Sequence, residues 1–74
     1  MYIVDVYRGS GKILTSFHQI NDYIVYDDKL ILTRCNKDGE VIENITLKFD
    51  YFSSVNIVSD DYHLIRYEGK YQGE

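Results

Sequence analysis

The sequence predicts an all-β fold, a small antiparallel meander of six or seven short strands that curls into a barrel or roll. Short apolar segments alternate with turn residues along the 74-residue chain, a spacing typical of antiparallel strands. Proline is absent, so every backbone amide can join a ladder. The Asp38-Gly39 dipeptide between two alternating segments favours a hairpin. A sheet in so short a chain must curl or dimerise to cover its apolar face.

The first two predicted strands cover 2–7 and about 13–18, joined by a glycine-containing turn. Side chains alternate along a strand, so the odd-numbered residues 13, 15 and 17 share a face with residues 2, 4 and 6. A helix over 14–21 is the alternative, because three apolar residues lie there at helical spacing: Leu14, Phe17 and Ile20. The strand is preferred because the segment is short.

The segment 23–47 predicts three consecutive strands in one register. If Asp38-Gly39 forms a two-residue type I′ turn, Lys37 lies opposite Glu40. A slip of one residue would mix apolar and polar side chains on both faces, so the register that segregates them is preferred. It pairs Cys35 with Ile42, Arg34 with Glu43, Leu32 with Ile45 and Leu30 with Leu47.

A turn at Asp27-Asp28 joins the first two strands of this meander and pairs Val25 with Leu30. Moving the turn to Asp28-Lys29 pairs Val25 with Leu32 instead. Both alternatives keep the same residues on the core face. The predicted core of the meander consists of Tyr23, Val25, Leu30, Leu32, Ile45 and Leu47.

The last third of the chain predicts one short helical turn at 50–54, which Asp50 could cap. A strand over 55–58 follows, and Asp60-Asp61 turns the chain into a last strand that pairs Ile57 with Leu64. Residues 69–74 carry no periodic apolar pattern and are expected to fray. The sequence therefore predicts one domain over 1–68 and a C-terminal tail.

Composition limits the classes of function. The net charge of −4 disfavours nucleic-acid binding, which depends on basic groups. No apolar run approaches the ~20 residues of a membrane span, and the N-terminus does not resemble a signal peptide. One cysteine excludes an intramolecular disulfide framework. A cytoplasmic protein that does not bind membranes is expected.

Three patterns resemble catalytic or ligand sites, and none is taken as a site. Gly9-Ser10-Gly11-Lys12 lacks the earlier glycine and the following Ser or Thr of a phosphate-binding loop. His18, Cys35 and His63 match no zinc spacing. The acidic pairs at 27–28 and 60–61 sit at turns, where neighbouring side chains do not converge on a substrate. No catalytic residue, cofactor or metal is predicted, and an enzyme is not expected.

Tyrosine content is the strongest indication of function. Eight tyrosines occur, with no tryptophan, and tyrosine is common at recognition surfaces. It is also a good strand former, so a purely structural role is an equal alternative. We expect a small acidic regulator or inhibitor that binds a larger protein through tyrosines and a strand edge, a profile shared by small bacterial and phage inhibitors. The predicted partner-binding residues are Tyr7, Ile24, Tyr26, Asp27, Asp28, Ile31, Cys35 and Ile42.

Two other functions remain as alternatives. A small barrel could bind single-stranded nucleic acid by stacking aromatic side chains on bases. A structural homo-oligomer, such as a homodimer, could instead bury the apolar patch formed by Ile24, Ile31, Cys35 and Ile42.

Overall fold

The computed structural model describes residues 1–9 and 11–72 and confirms an all-β chain, with seven strands in two antiparallel sheets. The strands are β1 (Tyr2–Tyr7), β2 (Ile13–Ile20), β3 (Asp22–Val25), β4 (Lys29–Cys35), β5 (Val41–Lys48), β6 (Ser54–Ser59) and β7 (Leu64–Glu68). Sheet A has the strand order β2-β1-β6-β7, and sheet B has the order β3-β4-β5.

The segment 13–20 is a strand, as preferred from the sequence, and it continues into sheet B. Val4 pairs with Phe17 but Tyr2 pairs with Ile20, so β2 contains an extra residue. Gln19 there has a φ of 57°, and a bulge of this kind bends a strand. The amide of Asn21 then donates to Thr33 O at 2.9 Å. Residues 13–25 therefore run through both sheets.

Sheet B has the predicted register. Leu30 faces Leu47, Leu32 faces Ile45 and Arg34 faces Glu43. Val25 pairs with Leu30, which selects the Asp27-Asp28 turn over its alternative. The matching apolar faces therefore determine the pairing, as expected.

The turn that closes β4 and β5 differs from the prediction. Gly39 has a φ of 84° and Asp38 has no positive φ, so the turn is not type I′. Instead the amide of Asn36 donates to Glu40 O at 2.9 Å. The loop is thus one residue longer, and Cys35 pairs with Val41 rather than Ile42. Ile42 is an extra residue of β5 between this pair and the next. The pairing beyond it, from Arg34 with Glu43 onward, therefore has the predicted register.

The chain departs from a simple meander after β5, because β6 pairs with β1 and not with β5. The amide of Tyr51 donates to Lys48 O at 2.9 Å, which forms a β-turn where a helical turn at 50–54 was predicted. Phe52 is buried directly after this turn, and β6 begins at Ser54. The β-turn thus takes the place of the predicted helical turn in this connection.

The predicted pairing of the last two strands is wrong by one residue. Ile57 faces Ile65 rather than Leu64. Tyr62 takes a φ of 65° and lengthens the loop, which Ser59 and His63 close with a backbone hydrogen bond of 3.0 Å. A slip of one residue exchanges the faces of a strand, so Ile65 takes the predicted place of Leu64 opposite Ile57, and both side chains are exposed.

The core lies between the sheets and receives residues from both. Leu30, Leu32 and Leu47 are buried as predicted, whereas Val25 is exposed. A fully buried side chain of this size contributes roughly 1.5–3 kcal/mol. The buried apolar residues are Val4, Val6, Ile20, Leu30, Leu32, Leu47, Phe52, Val55 and Ile57.

Backbone hydrogen bonds join the segment after β7 to the connection before β6. The amide of Gly69 donates to Ser53 O at 2.8 Å, and that of Tyr71 to Phe52 O at 3.1 Å. Fraying of 69–74 stays a prediction, and 73–74 lie outside the described residues, as does Ser10 of the first predicted turn.

Candidate functional site

The outer face of sheet B contains most of the predicted partner-binding residues. Because Leu30 and Leu32 point into the core, the intervening Ile31 points outward. Ile24 is its direct partner on β3 and is 49% exposed. This isoleucine pair forms an apolar row across two strands.

Tyr26 and the acidic turn border one end of that row. Tyr26 is exposed, and Lys29 Nζ lies 5.4 Å from the centroid of its ring. Asp27 and Asp28 form the turn between these residues and are exposed. The structure thus places Ile24, Tyr26, Asp27, Asp28 and Ile31 together, and we call this set the outer patch.

The other predicted residues lie apart from the outer patch. Thr33 and Asn44, which form a side-chain hydrogen bond of 3.1 Å, separate it from Cys35 and Ile42. Ile42 is 61% exposed, and Cys35 is a half-buried free thiol. Tyr7 lies on β1 in sheet A and is not brought to this face.

The tyrosines divide into structural and exposed groups. Tyr2 and Tyr23 pack edge to face with ring centroids 5.2 Å apart, which joins the two sheets. Burial raises the pKa of Tyr23 above its ordinary value of 10.0, and the neighbouring Tyr67 and Tyr2 raise it further. Tyr26, Tyr51 and Tyr62 are instead exposed. Tyr2 and Tyr23 thus have a structural role, whereas the exposed tyrosines are available for contacts with other molecules.

A second candidate site opens between the two sheets. Strand β2 pairs only with β1, and β5 pairs only with β4, so each has an edge without a neighbouring strand in the described part of the chain. A groove of about 610 Å³ lies between them. This edge groove is lined by Arg8, Thr15, Phe17, Thr46, Leu47, Lys48, Asp50 and Tyr51.

Arg8 is the distinctive residue of the edge groove. Its guanidinium carbon lies 5.0 Å from the ring centroid of Tyr51 and 4.1 Å from that of Tyr71, distances typical of cation–π contacts. Its Nε is buried and has no hydrogen-bond partner among the described residues. Arg34 and Arg66, by contrast, form ion pairs with Glu43 and Glu68.

Sequence reasoning did not identify the edge groove as a site. Phe17 is half-buried in a strand, Tyr51 lies in the β5–β6 connection and Tyr71 lies after β7, and the last two segments have no periodic pattern. Only the tertiary fold brings Tyr71 to Arg8. One available signal was that Arg8 has no acidic residue in the turn that follows it.

Within residues 1–9 and 11–72, no three His, Cys, Asp or Glu side chains are close enough together to hold a metal ion. The same residues contain no helix with the length and apolar character needed to cross a membrane. No protein-family model, no curated protein and no solved structure matches the chain.

Proposed function

We propose that the chain is a non-catalytic protein-binding domain that regulates or inhibits a larger protein in the cytoplasm. The single observation that supports this most strongly is the outer patch, where the Ile24–Ile31 row and Tyr26 are presented on a face of sheet B. Apolar and aromatic residues rimmed by polar groups are typical of protein interfaces. The adjacent acidic turn favours a partner with basic groups at the rim of its interface.

The edge strand β5 extends this surface. It lies beside β4 in sheet B and is unpaired on its other side within the described residues, so its backbone could pair with a strand of the partner. We also propose that the sheets curl into a roll, because residues 13–25 belong to both. A bulged strand that turns from one sheet into the next favours such curvature.

A charge introduced into the outer patch tests the proposal. Ile24→Lys should remove the partner, because burying a lysine without a counter-charge opposes association. Ile3→Lys is the matched control, since Ile3 is a strand isoleucine of sheet A that is 41% exposed. The measurement is a quantitative pull-down from native lysate with immobilised wild type and both variants. A partner retained by the Ile3 variant and lost by the Ile24 variant supports the proposal.

No partner above background for the wild type would contradict the proposal, as would equal recovery by the two variants. Sedimentation equilibrium of the purified chain separates the proposal from self-association. A dimer abolished by Ile24→Lys would identify the outer patch as a homo-oligomer interface instead.

A further inference from the structure

We propose that the edge groove binds an extended peptide segment of another protein, with an internal Asp or Glu beside Arg8 and an apolar side chain on Phe17 and Leu47. This inference concerns residues outside the outer patch. It shares with the proposed function only the unpaired edge of β5, and it does not depend on binding by the outer patch.

The charge of the groove indicates the polar part of this ligand. Arg8 and Lys48 line it, and Asp50 is its one acidic lining residue. No carboxylate of the described residues forms an ion pair with Arg8 or Lys48. A guanidinium stacked on aromatic rings keeps its donors in one plane, where they match both oxygens of a carboxylate. A ligand carboxylate would therefore supply the charge partner that Arg8 lacks among the described residues.

The floor of the groove indicates the apolar part. Leu47 is buried and Phe17 is half-buried against the core, and both contribute to the lining. A volume of about 610 Å³ lies in the range of sites that bind small ligands, roughly 300–1,000 Å³. It can accept one or two side chains but no folded element.

The groove walls favour an extended backbone. Unpaired strand edges recognise peptides by adding a strand, and both walls of this groove are such edges, at β2 and β5. Alternate residues of a strand face the same way, so a carboxylate at one position and an apolar side chain two residues later both enter the groove.

An internal Asp or Glu of the peptide fits better than a C-terminal carboxylate, because the open space of the groove continues past Arg8. A second cleft of about 350 Å³ shares Arg8 and is lined further by Lys12, Ile13, Leu14 and Tyr71. The net charge of −4 opposes binding of a long polyanion. A peptide with one carboxylate carries little of that penalty, so it is favoured over an oligonucleotide.

The test uses an array of fluorescein-labelled, C-terminally amidated nonapeptides with central Glu, each paired with its central Gln version. The residue two positions later is Leu, Ile, Phe or Ser. Fluorescence anisotropy should show binding for peptides that have a central Glu and an apolar residue two positions after it. Replacement of that Glu by Gln should weaken binding by about tenfold or more, the loss expected for a charge-assisted hydrogen bond.

Variants of the chain locate the binding. Arg8→Gln should weaken binding of the central-Glu peptides about tenfold, and Arg8→Lys should restore only part of it because the two-pronged geometry is lost. Lys48→Glu changes an exposed side chain and should also weaken binding. It keeps the proposal testable if the Arg8 variants fail to fold. Arg66→Gln is the control, because Arg66 is paired with Glu68 and does not line the groove.

Several results would overturn the inference. They are absence of binding across the array, equal binding of Glu and Gln peptides, and amide chemical shift changes confined to the outer patch. Tighter binding of free-acid peptides than of amidated peptides would show that the groove binds a C-terminal carboxylate and not an internal one. Binding of an eight-nucleotide oligothymidylate that depends on Arg8, with no peptide bound, would assign the groove to single-stranded nucleic acid.

Discussion

The β4–β5 and β6–β7 hairpins turn through the same backbone geometry but place different residues at its left-handed position. In the first, Gly39 N donates to Asn36 O at 3.1 Å, and in the second Tyr62 N donates to Ser59 O at 3.0 Å. Gly39 has a φ of 84° and Tyr62 a φ of 65°. Glycine adopts this conformation readily, whereas a tyrosine there is strained by roughly 1–2 kcal/mol.

The first residue of each loop also supports it in a comparable way. Asn36 Oδ1 accepts the amides of Asp38 and Glu40 at 2.9 and 3.0 Å. Ser59 Oγ accepts the amide of His63 at 3.1 Å. Tyr62 is 88% exposed, so packing does not offset its strain. The comparison shows that loop closure by backbone hydrogen bonds, and not the residue at the strained position, defines this turn.

Glycine is needed for different reasons at Gly69, directly after β7, and at Gly39, in the β4–β5 loop, and Gly69→Ala should have the largest effect. A Cβ on Gly69 would lie 2.6 Å from Phe52 Cδ1 and 2.7 Å from Phe52 C. Forcing an extra atom into such packing costs about 3 kcal/mol. A Cβ on Gly39 meets no atom within 4 Å, so Gly39→Ala should cost only about 1 kcal/mol of strain. Urea unfolding measures both, and equal losses would contradict the distinction.

Exchanging the residues at the left-handed position tests the strain directly. Tyr62→Gly should stabilise the fold by about 1 kcal/mol, and Gly39→Tyr should destabilise it by a similar amount. Thermal unfolding should show shifts of roughly 4–8 °C in opposite directions. A lower Tm for Tyr62→Gly would mean that the tyrosine makes stabilising contacts and that the loops are not equivalent.

Reversal of the Arg34–Glu43 pair sharpens the register of the first hairpin and should have a smaller effect. Arg34→Glu or Glu43→Arg alone should destabilise the fold, and the double variant should recover about 0.5 kcal/mol. Arg34 Nη2 also donates to His18 O at 2.7 Å, so recovery should be incomplete. The coupling energy from urea unfolding is the readout. A coupling of zero would argue against this pairing in solution.

The smallest expected effect is on the pKa of Asp61 in the β6–β7 loop. A hydrogen bond from the Ser59 hydroxyl holds the pKa of Asp61 below its ordinary value of 3.8. A lowered pKa favours the folded state above pH 3.8, and this contribution is lost as the pH falls through the folded pKa. Ser59→Ala should return the pKa of Asp61 toward 3.8, as measured by carboxyl NMR titration. An unchanged pKa would show that the hydroxyl does not hold the carboxylate.

The strand register could be predicted from the sequence where apolar alternation was strong. Leu30, Leu32 and Leu47 define one face so strongly that the register of sheet B was correct although its turn was not. The β6–β7 register could not be obtained this way, because nothing in the sequence indicates that Tyr62 takes a positive φ. The pairing of β1 with β6 depends on the whole fold, since the two strands are far apart in the chain.

The same limit applies to the candidate sites. The outer patch follows from alternation in β3 and β4, so its isoleucines were predicted. The edge groove depends on Arg8, Tyr51 and Tyr71, which come from two separate connections and the segment after β7 and meet only after the sheets pack. Local patterns contain no information about such long-range contacts.

The pairing of β1 with β6 has a consequence for the order of folding. Tyr2 lies opposite Ser59, so this ladder cannot form until most of the chain has been synthesised. Neighbouring strands such as β4 and β5 can pair within microseconds, whereas distant pairing is slow. During translation the edge of β1 that later receives β6 remains open, with its backbone amides and carbonyls unpaired. An open strand edge promotes aggregation, so chains that terminate before β6 should be prone to aggregate.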